Sequence, residues 1–94
     1  MKSIVPSLDH PQLSRHARYR WDSIRQQHQL VFPEGLLILN ETGTAILKLC
    51  DGRPFDQLLL KLQKQFQNSV CEQEVITFLR TLATKGLVND IPPS

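Results

Sequence analysis

The sequence is short of the residues that several classes of protein require. Its two cysteines, Cys50 and Cys71, lie far apart and in no CxxC motif, which favours reduced thiols in a cytosolic protein over a disulfide framework. Its four glycines form no phosphate-binding loop. No apolar run is long enough for a signal peptide or a membrane span, so we expect a cytoplasmic protein without a membrane partner.

Charge and catalytic groups are equally sparse. The net charge of +2 over 94 residues is too small to indicate nucleic acid or membrane as a partner. His10, His16 and His28 are not at the spacing of metal ligands, so we expect no metal and no cofactor. No nucleophile lies beside a general base in the sequence, and we therefore expect a protein that is not an enzyme.

The hydrophobic pattern divides the chain into an arm, one domain and a tail. Residues 1–15 are predicted to form an extended N-terminal arm, residues 16–88 the domain, and residues 89–94 a C-terminal tail. Strands are predicted at "ARYRWD", at "HQLVFPEG", where Pro33 closes the strand, and at "LLILN". Helices follow from Asn40 or Thr42 to about Leu49, after Pro54, and from near Cys71 to Gly86. The predicted fold is α+β and winged-helix-turn-helix-like, a three-stranded antiparallel sheet followed by three helices.

The segment Cys50-Asp51-Gly52 places a thiol, a carboxylate and a flexible backbone side by side, as a reactive site would. A reactive thiol needs a base or a cation to lower its pKa, and all three histidines lie in the N-terminal third. Asp-Gly is also a common way to end a helix and begin a turn. We therefore interpret the segment as a helix end with a structural cysteine.

The third predicted strand is apolar on both faces, which the first strand is not. Its residues are Leu36, Leu37, Ile38 and Leu39. Three helices can cover only one face of a three-stranded sheet. The other face is then covered by the N-terminal arm, by a second copy in a homodimer, or by a ligand; an open strand edge would accept an added peptide strand. The sequence alone leaves the buried strand and the docking groove equally open.

A small winged-helix nucleic-acid-binding protein is the alternative function. Its recognition helix would expose polar and basic side chains, as the last helix does with Gln73, Thr77 and Arg80. However, Glu72 and Glu74 at the start of that helix would repel phosphates. The excess of arginines lies on the arm and the first hairpin, where we interpret it as a solvated strand face.

Four segments together resemble the D protein of pyrroloquinoline quinone (PQQ) biosynthesis, the PqqD family. They are "RYRWD", "LVFPEG", "LILNETGTAILKLCDG" and "VITFLRTLATKGLV". The resemblance extends from about Ala17 to Val88, and its most specific element is the spacing from Leu39-Asn40 to Leu49-Cys50-Asp51-Gly52. Gly43, where alanine is expected, and "RPFDQ" at the start of the second helix depart from the family pattern.

The resemblance implies a function that the residues alone do not. Members of the family are small peptide-binding modules that act as peptide chaperones: they bind the PQQ precursor peptide and present it to a radical-SAM enzyme, which carries out the chemistry. Related modules bind the leader peptide as an added strand along the third strand, with the last helix as the other wall. Carried over to this sequence, the peptide-binding residues are Leu36, Leu37, Ile38, Leu39, Val75, Phe78, Leu79 and Leu82.

Overall fold

The computed structural model describes residues 9–90, which form five strands and three helices. The elements in chain order are β1 (Pro11–Leu13), β2 (Arg18–Asp22), β3 (Gln27–Phe32), β4 (Gly35–Leu39), α1 (Glu41–Lys48), α2 (Phe55–Gln65), α3 (Glu72–Thr84) and β5 (Val88–Asp90). The predicted α+β architecture, with a three-stranded antiparallel sheet followed by three helices, is confirmed. The expectations for residues 1–8 and 91–94 lie outside the described residues.

The three-stranded sheet has the order β2-β3-β4, so β4 is an edge strand. The hairpin from β2 to β3 is closed by the Asp22 carboxylate, which accepts hydrogen bonds from the backbone N–H groups of Ile24 and Arg25. Pro33 and Glu34 form the two-residue turn from β3 to β4, and Phe32 pairs directly with Gly35. Proline fixes its own φ angle and suits this turn, as the sequence indicated.

A second, two-stranded sheet joins the two ends of the described chain. β1 pairs antiparallel with β5, with Pro11 opposite Asp90 and Leu13 opposite Val88. Strand β1 also bonds to the segment between α1 and α2: the Leu13 N–H donates to the Cys50 carbonyl at 3.0 Å. Residues 9–15, expected as an arm, are thus extended but paired with the rest of the fold. This sheet was not predicted.

The three helices begin close to their predicted positions. Asn40 rather than Thr42 caps α1, and its side chain accepts the Gly43 N–H at 2.7 Å. At the start of α3, the Cys71 N–H donates to the Glu74 carboxylate at 3.4 Å. The chain leaves α3 through Gly86, whose φ of 76° lies in the left-handed region that glycine adopts readily.

The hydrophobic core lies between one face of the three-stranded sheet and the three helices. Its largest fully buried side chains are those of Leu30, Ile46, Leu58, Leu62, Val75, Leu79, Leu82 and Val88. All three helices contribute to it, so each presents an apolar stripe to the sheet, as the periodicity predicted. Truncation of one such leucine to alanine costs about 2–5 kcal/mol in proteins generally, so this layer fixes the positions of β4 and α3.

The segment Cys50-Asp51-Gly52 is a helix end with a buried thiol. The Cys50 Sγ donates to the Ile46 carbonyl at 3.2 Å. Burial raises the pKa of Cys50 to about 12, and the nearby Asp51 carboxylate adds to this rise. Since the thiolate is the reactive form, Cys50 is unreactive at neutral pH. Asp51 itself forms an ion pair with Arg53, which lowers the pKa of Asp51 to about 2.

Candidate functional site

Strand β4 presents different side chains to its two faces. Leu37 and Leu39 face the helices on the inner face of the sheet, opposite Leu30 and His28 of β3. Leu36 and Ile38 lie on the outer face and are 49% and 63% exposed. The two-faced apolar strand noted in the sequence therefore has one face in the core and one face free of helices.

The backbone of β4 also offers hydrogen-bonding groups at the open edge of the sheet. In a two-residue turn the closing residues, Phe32 and Gly35, exchange backbone hydrogen bonds, and such pairs alternate with non-bonded pairs along an antiparallel ladder. Leu37 therefore bonds to β3, whereas the N–H and C=O groups of Leu36 and Ile38 point away from it. Among residues 9–90 no other strand pairs with this edge.

A groove runs beside this edge, between β4, α1 and α3. Its first part has a volume of about 390 Å³ and is lined by Ile38, Leu39, Asn40 and Phe78. A second part of about 550 Å³ lies between α1 and α3. Asn40 and Phe78 line both parts, so the two are continuous. We refer to both parts together as the groove.

Phe78 forms the α3 wall of the groove, and Gly43 fixes where its ring lies. A Cβ atom on Gly43 would come within 3.2 Å of the Phe78 ring and 3.1 Å of the Asn40 Oδ1. Both distances are shorter than ordinary van der Waals contact, so the absence of a side chain at position 43 lets the ring pack against α1. The departure from the family pattern at Gly43 thus occurs at the groove.

The structure divides the eight candidate residues into two groups. Leu36, Leu37, Ile38 and Phe78 retain accessible surface at β4 or in the groove, and Leu39 lines the groove although its side chain is largely buried. The other three side chains are 0% exposed and belong to the core: Val75, Leu79 and Leu82. These three hold α3 in place rather than offering a surface to a ligand.

Several polar residues of the groove were not among the candidates. Thr77 and Thr81 lie one turn apart on α3 and line its second part, and Asn40 lines both parts. The signal for the α3 residues was present in the sequence, because positions 77 and 81 are four apart and flank Phe78 on one side of the helix. In the sequence, the exposed polar side chains of this helix were considered only as those of a recognition helix for nucleic acid.

The remaining chemistry of the described chain lies away from the groove. Arg18 and Arg20 are exposed on the outer face of β2, at the opposite edge of the sheet from β4. The Tyr19 hydroxyl lies 2.6 Å from Nδ1 of His28, and the Lys48 ammonium lies 5.0 Å above the Tyr19 ring. Within residues 9–90, no cluster of three His, Cys, Asp or Glu residues could hold a metal ion. In the same range no helix is long and apolar enough to cross a bilayer.

The open strand edge and the adjoining groove define a small α+β binding domain of the kind that can accept an extended segment of another chain. Comparison with known proteins gives the family. The model of the family described as "Coenzyme PQQ synthesis protein D (PqqD)" matches residues 27–88. The chain belongs to the PqqD family.

Curated relatives extend this match over most of the chain. The "PqqA binding protein" of Azotobacter vinelandii is 37% identical over 82 residues, which cover 85% of this chain and 89% of the relative. The protein of the same name from Methylococcus capsulatus is 33% identical over 81 residues, covering 85% of this chain and 87% of the relative. The predicted family resemblance is confirmed.

A solved structure shows the same fold. The solution NMR structure of the PqqD part of Methylobacterium extorquens PqqCD matches with a TM-score of 0.71 at 31% identity, covering 86% of this chain and 89% of that one. That part is described as a functional, stand-alone recognition element for ribosomally synthesised and post-translationally modified peptides.

Proposed function

We propose that this protein is a non-catalytic adaptor of PQQ biosynthesis that binds the precursor peptide and presents it to the radical-SAM enzyme of the pathway, in the cytoplasm. The observation that carries the proposal is the open edge of β4 beside the groove. The names of the curated relatives, which refer to binding of PqqA, support a peptide as the ligand. The description of the Methylobacterium extorquens domain as a peptide recognition element supports the same class of ligand.

The peptide binds as a fourth strand of the three-stranded sheet. Its backbone pairs with the free N–H and C=O groups of Leu36 and Ile38, and these hydrogen bonds give affinity with little dependence on sequence. A peptide residue opposite Leu37 directs its side chain to the inner face, into the part of the groove walled by Phe78. Selectivity then comes from the side chains that enter the groove.

Titration of ¹⁵N-labelled protein with a synthetic precursor peptide tests this proposal by NMR. We expect saturable shifts at residues 36–39 and at Asn40, Gly43 and Phe78, and no comparable shifts with a scrambled peptide. The absence of shifts at high peptide excess, both with and without the radical-SAM enzyme, would contradict the proposal. Shifts confined to other surfaces would place the peptide elsewhere.

A pair of matched substitutions separates the groove from general surface effects. Ile38→Lys replaces the apolar cross-strand contact of Ile38 with the peptide by a charged side chain, and is expected to weaken peptide binding about two- to fivefold. Leu60→Lys, on α2, changes a side chain of similar exposure, 58% against 63%, and should leave binding unchanged. Equal peptide affinities of the two variants would show that β4 is not part of the binding site.

Two alternatives give different results in the same samples. A homodimer that pairs β4 with β4 would have a mass that rises with protein concentration and would compete with the peptide. A nucleic-acid-binding protein would bind DNA with a strong dependence on salt, weakened when Arg18 and Arg20 are neutralised.

A further inference from the structure

The outer face of the three-stranded sheet is half basic and half apolar. Cross-strand pairing places Arg20, Gln29 and Ile38 in one row and Arg18, Val31 and Leu36 in the next. Each row therefore begins with an arginine at the β2 edge and ends with an exposed aliphatic side chain at the β4 edge. Within residues 9–90 the helices pack on the inner face, and no helix lies on this surface.

Among residues 9–90 the two arginines of the outer face form no ion pair. Asp22, the acidic residue on the same strand face, is buried and pairs with Arg25. The ion pairs among residues 9–90 are Arg25 with Asp22 and Arg53 with Asp51. Every aspartate and glutamate of the sequence lies within that range, so neither Arg18 nor Arg20 is neutralised by a side chain of the protein itself. Two uncompensated charges on one strand face attract an acidic surface.

A buried hydrogen-bond acceptor lies between the basic and apolar halves. Gln29 is only 3% exposed, and its Nε2 donates to the carboxylate of Asp22 at 3.2 Å and to the side-chain oxygen of Gln27 at 3.3 Å. Its Oε1 accepts no hydrogen bond from the described residues. The amide of Gln29 is therefore enclosed by its neighbours and adds no accessible polar group to this surface.

The composition of the outer face selects one kind of occupant. A nucleic acid would use the arginines but not Leu36 and Ile38, because phosphates make no use of exposed aliphatic side chains. A second copy of the same face would bring no exposed carboxylate to Arg18 and Arg20, and would oppose them with like charges or with aliphatic side chains. An apolar patch bordered by charge is the usual anatomy of a protein interface, so the occupant is a protein with an apolar centre and an acidic rim.

We propose that the outer face of the sheet, formed by Arg18, Arg20, Gln29, Val31, Leu36 and Ile38, docks an acidic partner protein that contacts the bound peptide at the same time. This inference rests on the proposed peptide binding at β4. Cross-strand neighbours share a face, so the peptide residues paired with Leu36 and Ile38 direct their side chains to the outer face, next to those two residues. Alternate side chains of the peptide thereby enlarge the surface that the partner contacts.

The arrangement couples the two binding events. A partner that contacts both Ile38 and the peptide binds the loaded protein more tightly than the empty protein, and the peptide binds more tightly in the presence of the partner by the same factor. This protein contacts the peptide side chains that point to the inner face of the sheet, and the partner contacts those that point to the outer face. Recognition of one peptide is thus divided between two proteins.

Isothermal titration calorimetry with purified components tests the proposal, with the radical-SAM enzyme of the same organism as the probe. The enzyme is titrated into the protein with and without saturating precursor peptide. We expect the double variant R18E/R20E to bind the enzyme about tenfold more weakly or worse than the wild type does, with peptide affinity within about twofold of the wild-type value. The neutral variant R18Q/R20Q should show a smaller loss of enzyme affinity, and wild-type enzyme affinity should fall as salt is raised.

A matched control is K61E/K64E, which changes the net charge equally but on α2. It should bind peptide and enzyme as the wild type does. The proposal is overturned if R18E/R20E and K61E/K64E have the same effect, if R18E/R20E loses peptide binding, or if peptide leaves the enzyme affinity unchanged. Failure of the wild type to bind peptide would instead refute the proposed function, so the two hypotheses fail separately.

Discussion

Ile38→Pro should weaken peptide binding about tenfold or more while leaving the fold intact. Proline has no N–H and is tolerated in an edge strand only where the missing N–H would face solvent. The register of β4 places the Ile38 N–H at the open edge, whereas the Leu37 N–H bonds to Leu30 of β3. Ile38→Pro therefore removes a group that only the peptide uses in the proposed complex, and Leu37→Pro removes one that the fold uses.

The magnitudes for the two prolines differ clearly. Ile38 is 63% exposed and loses little buried surface, so Ile38→Pro should change the free energy of unfolding by about 1 kcal/mol or less, the span of strand propensities. Leu37→Pro loses a ladder hydrogen bond and apolar contacts of a half-buried side chain, at a cost of about 3 kcal/mol. For the peptide, the lost hydrogen bond costs about 0.5–1.5 kcal/mol and the ring displaces the strand beside it, so affinity should fall about tenfold or more.

The assays are calorimetry with the precursor peptide and urea denaturation, and Ile38→Ala provides the control for the side chain. The alanine variant keeps the edge N–H and loses only apolar contact, so it should bind more tightly than the proline variant. The reasoning is refuted if the proline and alanine variants bind equally well, because the peptide would then not pair with the backbone. It is also refuted if Ile38→Pro unfolds as readily as Leu37→Pro, because the assigned register would be wrong.

Three further predictions concern the groove, the thiols and an ion pair. Gly43→Ala should move the Phe78 ring by a few tenths of an ångström and weaken peptide binding about two- to fivefold. The helix propensity of alanine is offset by crowding of that ring and of the Asn40 cap, so the free energy of unfolding should change by about 1 kcal/mol or less. Calorimetry and thermal unfolding measure the two effects, and unchanged affinity would exclude contact of the peptide with that ring. In the native protein at pH 8 a thiol reagent should modify the exposed Cys71 but not the buried Cys50. In denaturant the reagent should modify both cysteines. Rapid modification of Cys50 in the native protein would contradict its burial. The hydrogen bond from Arg53 lowers the pKa of Asp51 to about 2. The contribution of Asp51 to the free energy of unfolding is therefore present above the unfolded-state pKa near 3.8 and is lost as the pH falls towards 2. Asp51→Asn should flatten the acid limb of the curve of stability against pH, and identical curves would show that the ion pair contributes nothing.

Local signals were sufficient to predict the three-stranded sheet and the helices. The turn at Pro33-Glu34, the cap at Asn40 and the helix end at Gly86 each depend on the conformation of a few neighbouring residues, which sequence expresses directly. Alternation in β4 likewise separates Leu36 and Ile38 from their neighbours, because side chains of a strand alternate between its faces. These features were predicted because each is a property of a short segment.

The pairing of β1 with β5 could not be predicted in this way. Pro11 lies opposite Asp90, so the two strands are separated by nearly the whole described chain. Each strand has three residues, and a proline in the first argues locally against a strand. Only the position of the end of α3 relative to the start of the chain brings them together, and that position depends on the packing of the whole core.

The division of the α3 candidates also required the packed structure. Val75, Phe78, Leu79 and Leu82 form one apolar stripe at helical spacing, and periodicity treats them alike. Three of them are fully buried, and of the four only Phe78 reaches the groove. The Phe78 ring packs against α1 at Gly43, on the side of the stripe that faces β4. A groove residue at the margin of a core stripe has the same apolar chemistry as its neighbours. Whether it is buried or accessible depends on how the helix is rotated about its axis, which the sequence does not specify.

An open apolar edge is a liability that stable monomers usually avoid, so its presence here requires a reason. Edge strands are normally protected by charge, proline or a covering segment. Within residues 9–90, β4 has none of these at Leu36 and Ile38, the residues that face the open edge. The strand is protected because it is short. It has five residues, and only these two direct their backbone N–H and C=O groups to the open edge before α1 begins after Asn40. Two residues give a second copy of the protein few hydrogen bonds with which to pair, whereas a peptide gains the same bonds and the adjoining groove. In the proposed complex the edge is therefore short enough to limit self-association and long enough, with the groove, to bind a peptide.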